Sequence, residues 1–252
     1  MAFDERTSLL IGEENLKEIK SKNVIVFGVG GVGGYVVEML VRTGVEHITI
    51  VDFDVVSESN INRQIIADYN NIGKLKVDCF EDRIKNINPN CEIVAIDEKL
   101  TPQNIEKFDL QKYDYVIDCI DDVKAKVMLI KFCYDSNIKI ISSMGAGNRY
   151  SMPKFEICDI FKTQNDGLAK AVRSKLRDLG IKKTLVCYSS QDAKKQSPVG
   201  SIAYFPASCG IYIASFVINE FLKNDHKMWK IWKKLKKSYR KSKKTNKKYK
   251  KH

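Results

Sequence analysis

The sequence predicts an α/β fold of the Rossmann-like, doubly wound type, with a mostly parallel sheet and an antiparallel C-terminal extension. Short runs rich in β-branched apolar residues alternate with longer amphipathic segments through the first 145 residues. That alternation is typical of parallel strands joined by helices. Several of the short runs are apolar throughout, which indicates burial on both faces of a sheet.

The N-terminal part supplies five strands with helices between them. Gly44 fits the C-cap of the helix that follows the first strand, and Pro89 ends the longest helical pattern. A threonine–proline pair at 101–102 opens a short helix. We predict strands at 23–27, 47–51, 92–96, 115–117 and 139–142, and the remaining helices at 9–20, from the glycine turn to about 42, at 74–88 and at 123–134.

The pattern changes after the Gly-Ala-Gly sequence at 145–147. Residues 154–161 and 183–190 alternate like half-exposed strands, with the charged helix LAKAVRSKLRDL between them. We interpret this part as an antiparallel extension that carries substrate-binding loops, closed by an apolar helix at 207–222. We therefore predict one domain, 1–222, followed by a separate tail, 223–252.

The net charge of +12 is located in that tail. Residues 223–252 hold fifteen Lys or Arg and one acid, whereas residues 1–222 hold 28 basic and 30 acidic residues. So basic a tail predicts a polyanionic partner, either nucleic acid or an anionic membrane surface. Trp229, Trp232, Tyr239 and Tyr249 among the lysines favour RNA, but Trp and Lys on an amphipathic helix also fit weak membrane binding.

Seven cysteines are scattered along the chain without any C-x-x-C pair, which argues against a zinc ribbon. The N-terminus shows no secretory signal pattern. We therefore expect reduced thiols and a cytoplasmic protein.

The stretch VIVFGVGGVGG at 24–34 matches the G-x-G-x-x-G fingerprint of nucleotide-binding folds at Gly28, Gly30 and Gly33. Gly28 allows a tight turn, Gly30 lets a phosphate approach the backbone, and Gly33 lets the helix pack closely on the strand. Asp52, at the end of the second strand, suits the ribose hydroxyls. These features fit NAD and other nucleotides equally well.

The residues downstream favour a nucleoside triphosphate over NAD. Arg63 and Lys76 bring two positive charges toward a phosphate chain, and Asn60 adds an amide donor. Asp121 follows the fourth strand, at the carboxyl edge of the sheet where such folds bind ligands. A carboxylate there could hold Mg²⁺ against the phosphates.

The series GVGGVGG, VDFD, SNINRQ, GKLKV and DCIDD resembles the ThiF/MoeB/HesA group of the ubiquitin-activating-enzyme-like superfamily, which uses ATP to adenylate a carboxylate. The resemblance implies that Gly30 lies against the phosphates, that Asp52 binds the ribose and that Asn60 and Arg63 contact the triphosphate. It also implies that Lys76 assists, that Asp121 binds Mg²⁺, and that Arg6 reaches the ATP of a partner subunit in a homodimer. The predicted nucleotide site further includes Gly28, Gly31, Gly33 and Asp54. The predicted catalytic residues are Arg6, Arg63, Lys76 and Asp121.

The later sequence resembles the tRNA threonylcarbamoyladenosine dehydratase branch through SSMGAGN, DIFKT, the LAK helix and GSIAYFP. That likeness implies adenylation of a threonylcarbamoyl carboxylate beside the tRNA anticodon, followed by ring closure. The alternatives are activation of a small ubiquitin-like sulfur-carrier protein, an NAD-dependent oxidoreductase and a catalytically idle RNA-binding scaffold. The missing C-x-x-C pairs argue against sulfur-carrier activation. A sulfur-transfer protein is a further candidate partner.

Five more residues are weaker candidates for the substrate side of the site. Cys209 and Cys187 are candidate nucleophiles, although small apolar filler is the simpler interpretation of both. Lys162, Thr163 and Arg149 belong to loops that we expect to face the nucleotide.

Overall fold

A computed structural model describes residues 3–222 of the chain. The predicted basic tail, 223–252, lies outside the described residues, so the proposed division into a domain and a tail stays a prediction. The seven strands of the described part form one sheet in the order β3-β2-β1-β4-β5-β7-β6. The strands are β1 (Asn23–Phe27), β2 (His47–Val51), β3 (Glu92–Ile96), β4 (Tyr115–Asp118), β5 (Ile140–Ser143), β6 (Glu156–Asp159) and β7 (Leu185–Tyr188).

Neighbouring strands are parallel except for β6 and β7, which pair antiparallel at the edge. The predicted fold class, with its antiparallel extension, is therefore confirmed. The described helices are α1 (Glu5–Ile11), α2 (Glu13–Lys20), α3 (Gly33–Thr43), α4 (Lys76–Ile87), α5 (Val123–Asp135), α6 (Gly167–Asp178) and α7 (Tyr204–Phe221), with short 3₁₀ turns at 58–60, 105–108, 110–112 and 160–162.

Hydrophobic cores cover both faces of the sheet, as the apolar strands predicted. One core joins β1, β2 and β4 to α3, α4 and α7. The other joins the opposite face to α5, α6 and the 3₁₀ turns around 105–112. The sheet is thus buried between two helical layers, which leaves its carboxyl edge as the place where loops can form a site.

The structure corrects the predicted elements in three places. The predicted helix 9–20 is two helices, because Gly12 has φ +87° and ψ 153°, which no helix continues through. The predicted short helix after 101–102 is a pair of 3₁₀ turns. The final helix begins three residues earlier than predicted and carries Pro206 in its first turn, where a missing N–H costs no helical hydrogen bond.

Among residues 3–222, no helix combines the length and the apolar character that crossing a lipid bilayer would require. β1 lies between β2 and β4 in the sheet. The chain runs outward from β1 to β2 and β3, and then crosses to β4 on the other side of β1, so the connections on the two sides of β1 run in opposite directions. This topological switch point opens a crevice beyond the carboxyl ends of β1 and β4.

Candidate active site

A cavity of about 1150 Å³ occupies this crevice. Its walls come from the loops after β1, β2 and β4, and from the chain around 146–147 and 199–201. Most of the predicted nucleotide-site residues line it: Gly28, Gly30, Gly31, Asp52, Asp54, Asn60, Arg63, Lys76 and Asp121. The loops therefore bring together residues that lie up to 93 positions apart in the sequence.

Three positions of the turn need glycine, two because the protein backbone leaves no room for a side chain and one because a side chain would enter the cavity. Gly28 has φ +82°, and a Cβ there would lie 2.9 Å from the carbonyl oxygen of Cys119. A Cβ at Gly33, where α3 begins, would lie 1.8 Å from the Gly28 oxygen. At Gly30 a Cβ would meet nothing closer than 3.6 Å. The protein itself thus tolerates a side chain at Gly30, and only a ligand in the cavity needs that space.

Asp52 organises the turn at the end of β2. Its Oδ2 accepts a hydrogen bond from the Val29 N–H (2.8 Å), and its Oδ1 accepts one from the Asp54 N–H (2.9 Å). The carboxylate is buried at 9 % exposure, yet it lines the cavity. Each oxygen keeps one further lone pair, so Asp52 can hold the glycine turn and accept a ligand hydroxyl together.

Lys76 begins α4 and is buried at 4 % exposure. Its Nζ donates to Oδ2 of Asp54 at 2.6 Å, and the Asp54 side chain is half exposed. This ion pair holds the ammonium group at the cavity wall, where its other two N–H donors remain for phosphate oxygens. The structure therefore joins the two predicted residues into one unit.

Asn60 and Arg63 lie on the 3₁₀ turn and the loop that follow β2. The Asn60 Oδ1 accepts from the Ser57 N–H at 3.2 Å, which fixes the buried amide. Arg63 is half-buried, and its Nη1 donates to the Ser59 carbonyl oxygen and to Asn62 Oδ1, both at 2.8 Å. These bonds use one of its nitrogens, so donors on the other two remain for an anion in the cavity.

Asp121 is an exposed carboxylate at the opposite wall, three residues after β4. Within residues 3–222 it forms no ion pair. Below it, Lys126 Nζ donates to Asp118 Oδ2 at 2.8 Å, and both side chains are fully buried. The buried pair anchors the start of α5 to the end of β4. Both ends of the loop that carries Asp121 are therefore fixed.

Gln64 is a residue of the cavity that the sequence motifs did not indicate. This side chain lines the cavity at 7 % exposure, and its buried Oε1 has no hydrogen-bond partner in the described part of the chain. An orphaned buried amide oxygen costs about 1–3 kcal/mol, which a donor on a bound ligand would offset. Gln64 follows Asn60 by four residues, and its N–H donates to the Asn60 carbonyl oxygen at 2.9 Å. That helical spacing could have predicted that the two amides share a face.

Arg6 is exposed on α1 and does not line the cavity of its own chain. Phe3, Leu9 and Leu10 around it are exposed by 47 %, 80 % and 85 %. An action of Arg6 on a partner subunit, as the resemblance implied, stays a prediction.

The weaker candidates on the substrate side prove mostly structural. Arg149 is buried at 5 % exposure, and its guanidinium donates to the carbonyl oxygens of Gln191 (2.9 Å), Gly145 (2.9 Å) and Asn165 (3.1 Å). Thr163 is also buried, and its hydroxyl donates to the Ile160 oxygen. Both residues tie loops together rather than line the cavity. Lys162 is exposed and lies outside the cavity.

The two candidate nucleophiles are fully buried, with their Sγ atoms 3.7 Å apart. The contact with Cys187, together with burial, raises the pKa of the Cys209 thiol well above its usual range. Neither sulfur lines the cavity. Because a nucleophilic cysteine must be exposed and ionised, the structure contradicts this role and supports the interpretation as apolar filler.

The cavity fits a magnesium nucleotide. No cluster of three or more Asp, Glu, His or Cys side chains suited to a metal occurs in the part of the chain that the structure describes. Mg²⁺ commonly binds one or two carboxylates together with substrate phosphates and water. Asp121 is exposed and lines the cavity, and it forms no ion pair within residues 3–222, so it suits that mode.

Comparisons with known proteins agree with this geometry. The model of the ThiF family matches residues 5–248. The tRNA threonylcarbamoyladenosine dehydratase of Bacillus subtilis (strain 168) is 38 % identical over 239 residues, which cover 87 % of this chain and 94 % of that protein. The crystal structure of E. coli tRNA N6-threonylcarbamoyladenosine dehydratase, TcdA, in complex with ATP superposes with a TM-score of 0.85 at 31 % identity, covering 89 % of this chain and 95 % of that one. Its complex with AMP gives a TM-score of 0.84 at 31 % identity, with 87 % and 94 % covered.

Proposed function

The chain belongs to the ThiF family, and from that membership we propose that it is an ATP-dependent tRNA threonylcarbamoyladenosine dehydratase. It converts N6-threonylcarbamoyladenosine in tRNA to a cyclic form by adenylating the carboxylate of the modification. The observation that carries the proposal is the wall of glycine backbone, Arg63 and Lys76 facing Asp121 across one cavity. The likeness over nearly the whole chain to the Bacillus dehydratase supports the choice of substrate.

Adenylation gives the carboxylate carbon a leaving group that can depart. A carboxylate resists attack because its leaving group would be oxide. When a carboxylate oxygen displaces pyrophosphate from the α-phosphorus of ATP, the leaving group becomes AMP. A nitrogen of the same threonylcarbamoyl group then attacks the acyl carbon, AMP departs and the ring closes. The net change is loss of one water from the nucleoside and conversion of ATP to AMP and pyrophosphate. The intramolecular attack needs no protein nucleophile because both groups are held together.

The residues of the cavity have separate roles in this reaction. Gly30 and the start of α3 offer backbone N–H groups to the phosphates. Asp52 accepts from the ribose hydroxyls, and the amide groups of Asn60 and Gln64 hydrogen-bond the nucleotide. Arg63 and Lys76 stabilise the negative charge that develops as pyrophosphate leaves. Lys76 is the more rigid of the two because its ion pair with Asp54 fixes its position.

Mg²⁺ is the metal that we propose for this reaction, held by Asp121. When bound, it neutralises phosphate charge and orients the triphosphate for attack.

The test is incubation of the full chain with ATP, Mg²⁺ and tRNA that carries threonylcarbamoyladenosine. We expect AMP release together with loss of one water from the modified nucleoside, measured by mass spectrometry. The matched control is the same tRNA without the threonylcarbamoyl group, which should release no AMP. AMP release that requires a ubiquitin-like sulfur-carrier protein instead of tRNA would replace this proposal with the alternative activity.

The second part of the proposal is a homodimer in which Arg6 completes the partner's site. The exposed apolar residues on α1 support an interface there. Two inactive variants, Arg6→Ala and Asp121→Asn, test it when they are mixed. If Arg6 acts across the interface, each mixed dimer regains one intact site, and random mixing restores about a quarter of the wild-type rate. If Arg6 acts within its own chain, mixing restores nothing, and a wild-type rate in Arg6→Ala alone would show that Arg6 takes no part in the reaction.

We also propose a cytoplasmic location, because none of the seven cysteines forms a disulfide. A sulfur-transfer partner and weak binding of the tail to anionic membranes stay predictions from the sequence.

A further inference from the structure

The segment 194–201 lies between β7 and α7 and contributes Val199 and Ser201 to the wall of the cavity. Residues 194–199 are all exposed, so apolar burial contributes little to holding this segment in place. Its position depends instead on hydrogen bonds with two asparagines that belong to different loops, Asn148 and Asn62.

Asn148 attaches the segment to the loop after β5. Its N–H donates to the Gly200 carbonyl oxygen at 2.7 Å, and its carbonyl oxygen accepts from the Lys194 N–H at 2.8 Å. Its side chain also takes part, because Oδ1 accepts from the Gly200 N–H at 2.6 Å and Nδ2 donates to the Gln196 carbonyl oxygen at 3.2 Å. The φ of +58° at Asn148 is a left-handed conformation that asparagine adopts more readily than most residues. The segment and the loop after β5 are therefore joined along most of their contact.

Asn62 attaches the same segment to the loop that carries Arg63. Its Nδ2 donates to the Ser201 carbonyl oxygen at 3.1 Å, and its Oδ1 accepts from Nη1 of Arg63 at 2.8 Å. Within residues 3–222, the bond to Ser201 is the one hydrogen bond that joins 194–201 to the loops after β1 and β2. A single amide thus connects the arginine that we propose for the phosphates to the segment on the other side of the cavity.

The contacts of Asn62 suit a role in the reaction better than a role in folding. Asn62 is exposed and lines the cavity, and an exposed hydrogen bond adds little to stability because water can replace it. Arg63 is held in its own loop without Asn62, since its Nη1 also donates to the Ser59 carbonyl oxygen at 2.8 Å. What Asn62 adds is the connection between two loops that are far apart in the chain.

The distance between these two loops affects the proposed reaction directly. In that reaction the phosphates of ATP lie against Arg63 and the glycine turn, so the attacking carboxylate enters between them and the wall at 146–147 and 199–201. Attack requires the carboxylate oxygen and the α-phosphorus to be within about 3–3.5 Å of each other, and a misplacement of about 1 Å lowers the rate strongly. A contact that fixes the distance between the two loops therefore favours attack.

We propose that Asn62 is a positioning residue that couples the bound nucleotide to segment 194–201. Arg63 is fixed more firmly when its remaining donors bind phosphate, Asn62 transmits this restraint to Ser201, and Asn148 extends it along the segment. ATP thereby orders the wall against which the acyl substrate is placed. This inference rests on the proposed function and adds to it a residue outside the predicted nucleotide site.

The first measurement is amide hydrogen exchange of the full chain with and without ATP and Mg²⁺, and it needs no tRNA. In the wild type we expect ATP to slow exchange in peptides that cover 194–201 on the order of tenfold, a typical size for coupling between sites. Asn62→Ala should remove this protection, while its affinity for ATP in calorimetry should stay within about threefold of the wild type. Asn62→Gln keeps both amide groups and should keep the protection.

The second measurement is kcat for AMP release with the modified tRNA. Asn62→Ala should lower kcat about 10- to 100-fold with little change in KM for ATP, because the connection acts on the geometry of attack and not on nucleotide binding. The matched control is Asn86→Ala, which removes another exposed amide whose Nδ2 donates to a carbonyl oxygen, that of Asp82 at 2.9 Å, outside the cavity. This control should match the wild type in exchange, ATP affinity and kcat.

The outcomes separate the coupling from the proposed reaction. Protection by ATP that persists in Asn62→Ala, or that is missing from the wild type, overturns the inference. A fall in kcat that comes with a loss of thermal stability also overturns it, because Asn62 would then be structural. If ATP protects 194–201 through Asn62 but the wild type forms no cyclic nucleoside, the proposed reaction fails and the coupling stands. If the cyclic nucleoside forms and Asn62→Ala keeps both protection and kcat, the reaction stands and the coupling is wrong.

Discussion

Two arginines near the cavity have opposite roles, because one lines the cavity and the other lies in the loops behind it. Arg63 is half-buried and lines the cavity on the side formed by the loops after β1 and β2, which we call the nucleotide wall, and one of its nitrogens donates to its own loop. Arg149 is buried in the loops behind the far wall, which the chain around 146–147 and 199–201 forms, and all three of its nitrogens donate to carbonyl oxygens. The first keeps donors for a ligand, and the second holds 145–149 against 165 and 191.

This difference teaches how to separate a binding residue from a structural one of the same type. An arginine whose donors are all used within the protein contributes to stability, and its loss leaves carbonyl oxygens buried without partners. An arginine with donors left over, at the wall of a cavity, contributes to binding.

The largest effect is expected at Asp121. Asp121→Asn removes the exposed charge that we propose for Mg²⁺, so the rate of AMP formation should fall about 10³-fold, or about 4 kcal/mol of transition-state stabilisation. The measurement is AMP release with modified tRNA at saturating ATP. Thermal unfolding should be unchanged, because the side chain is exposed.

Asp122 supplies the matched control. It also lines the cavity, but its Oδ1 caps α5 by accepting from the Ala125 N–H at 2.8 Å. Asparagine caps a helix about as well as aspartate, so Asp122→Asn should keep both stability and rate. Similar losses in the two variants would show that the cavity needs negative charge in general rather than a carboxylate at position 121.

The second effect is expected behind the far wall. Arg149→Ala leaves Asp166 buried beside three unpartnered carbonyl oxygens, and we expect a loss of about 3 kcal/mol in the free energy of unfolding. Burial already raises the pKa of Asp166, while the Ala169 N–H and Arg149 act to lower it. Without Arg149 the pKa should rise further.

The pH dependence follows from that direction. A carboxyl group whose pKa is higher in the folded state destabilises the fold as pH rises through the interval between its unfolded and folded pKa values. The stability cost of Arg149→Ala should therefore be smaller at pH 5 than at pH 8 in urea unfolding. A cost that is the same at both pH values would mean that the carbonyl contacts, and not Asp166, account for the loss.

The contrast between the nucleotide wall and the far wall also explains which features could be predicted from the sequence. The parallel strands were predictable because uninterrupted apolar runs have few other uses, and the glycine turn because its spacing is fixed by backbone geometry. Gly28, Asp52 and Asp121 come within three residues of the ends of β1, β2 and β4, so their common location at one sheet edge followed from the topology. Gly12 shows a limit, since a glycine between two amphipathic segments does not reveal whether it bends the helix or ends it.

The far wall was not predictable, because burial there depends on how loops fold back. Arg149 follows a Gly-rich segment, as binding residues often do, and only the carbonyl oxygens of distant residues 165 and 191 reveal its structural role. The antiparallel extension was predicted, but the expectation of a half-exposed strand at 183–190 was wrong, because β7 lies between β5 and β6 and is buried along most of its length. The insertion of β7 beside β5 required knowledge of contacts far apart in the chain.

The third largest effect is expected at Arg63, on the nucleotide wall. Arg63→Ala should lower the rate of AMP formation about 10²-fold, since it removes the charged donor that we propose for the departing phosphates. The unfolding free energy should change little, in contrast to Arg149→Ala. Lys74→Ala, which removes an exposed charge that lies outside the cavity, is the control. Destabilisation of Arg63→Ala as large as that of Arg149→Ala would remove the distinction between the two walls.

The smallest effect is expected from alanine substitutions at two glycines. Comparing them separates the stability cost of a left-handed backbone from the cost of steric crowding. Gly28 and Gly73 have nearly the same dihedral angle, φ +82° and φ +85°. Alanine at either position should therefore cost about 1 kcal/mol for the left-handed conformation alone. A Cβ at Gly73 meets nothing within 4 Å, whereas one at Gly28 lies 2.9 Å from the Cys119 oxygen, so Gly28→Ala should cost about 1–2 kcal/mol more. Because that carbonyl belongs to the loop after β4, relief of the clash should also shift Asp121 and weaken ATP binding, measured by calorimetry beside urea unfolding. Equal stability losses in the two variants, with ATP affinity retained in both, would show that the turn and the Asp121 loop move independently.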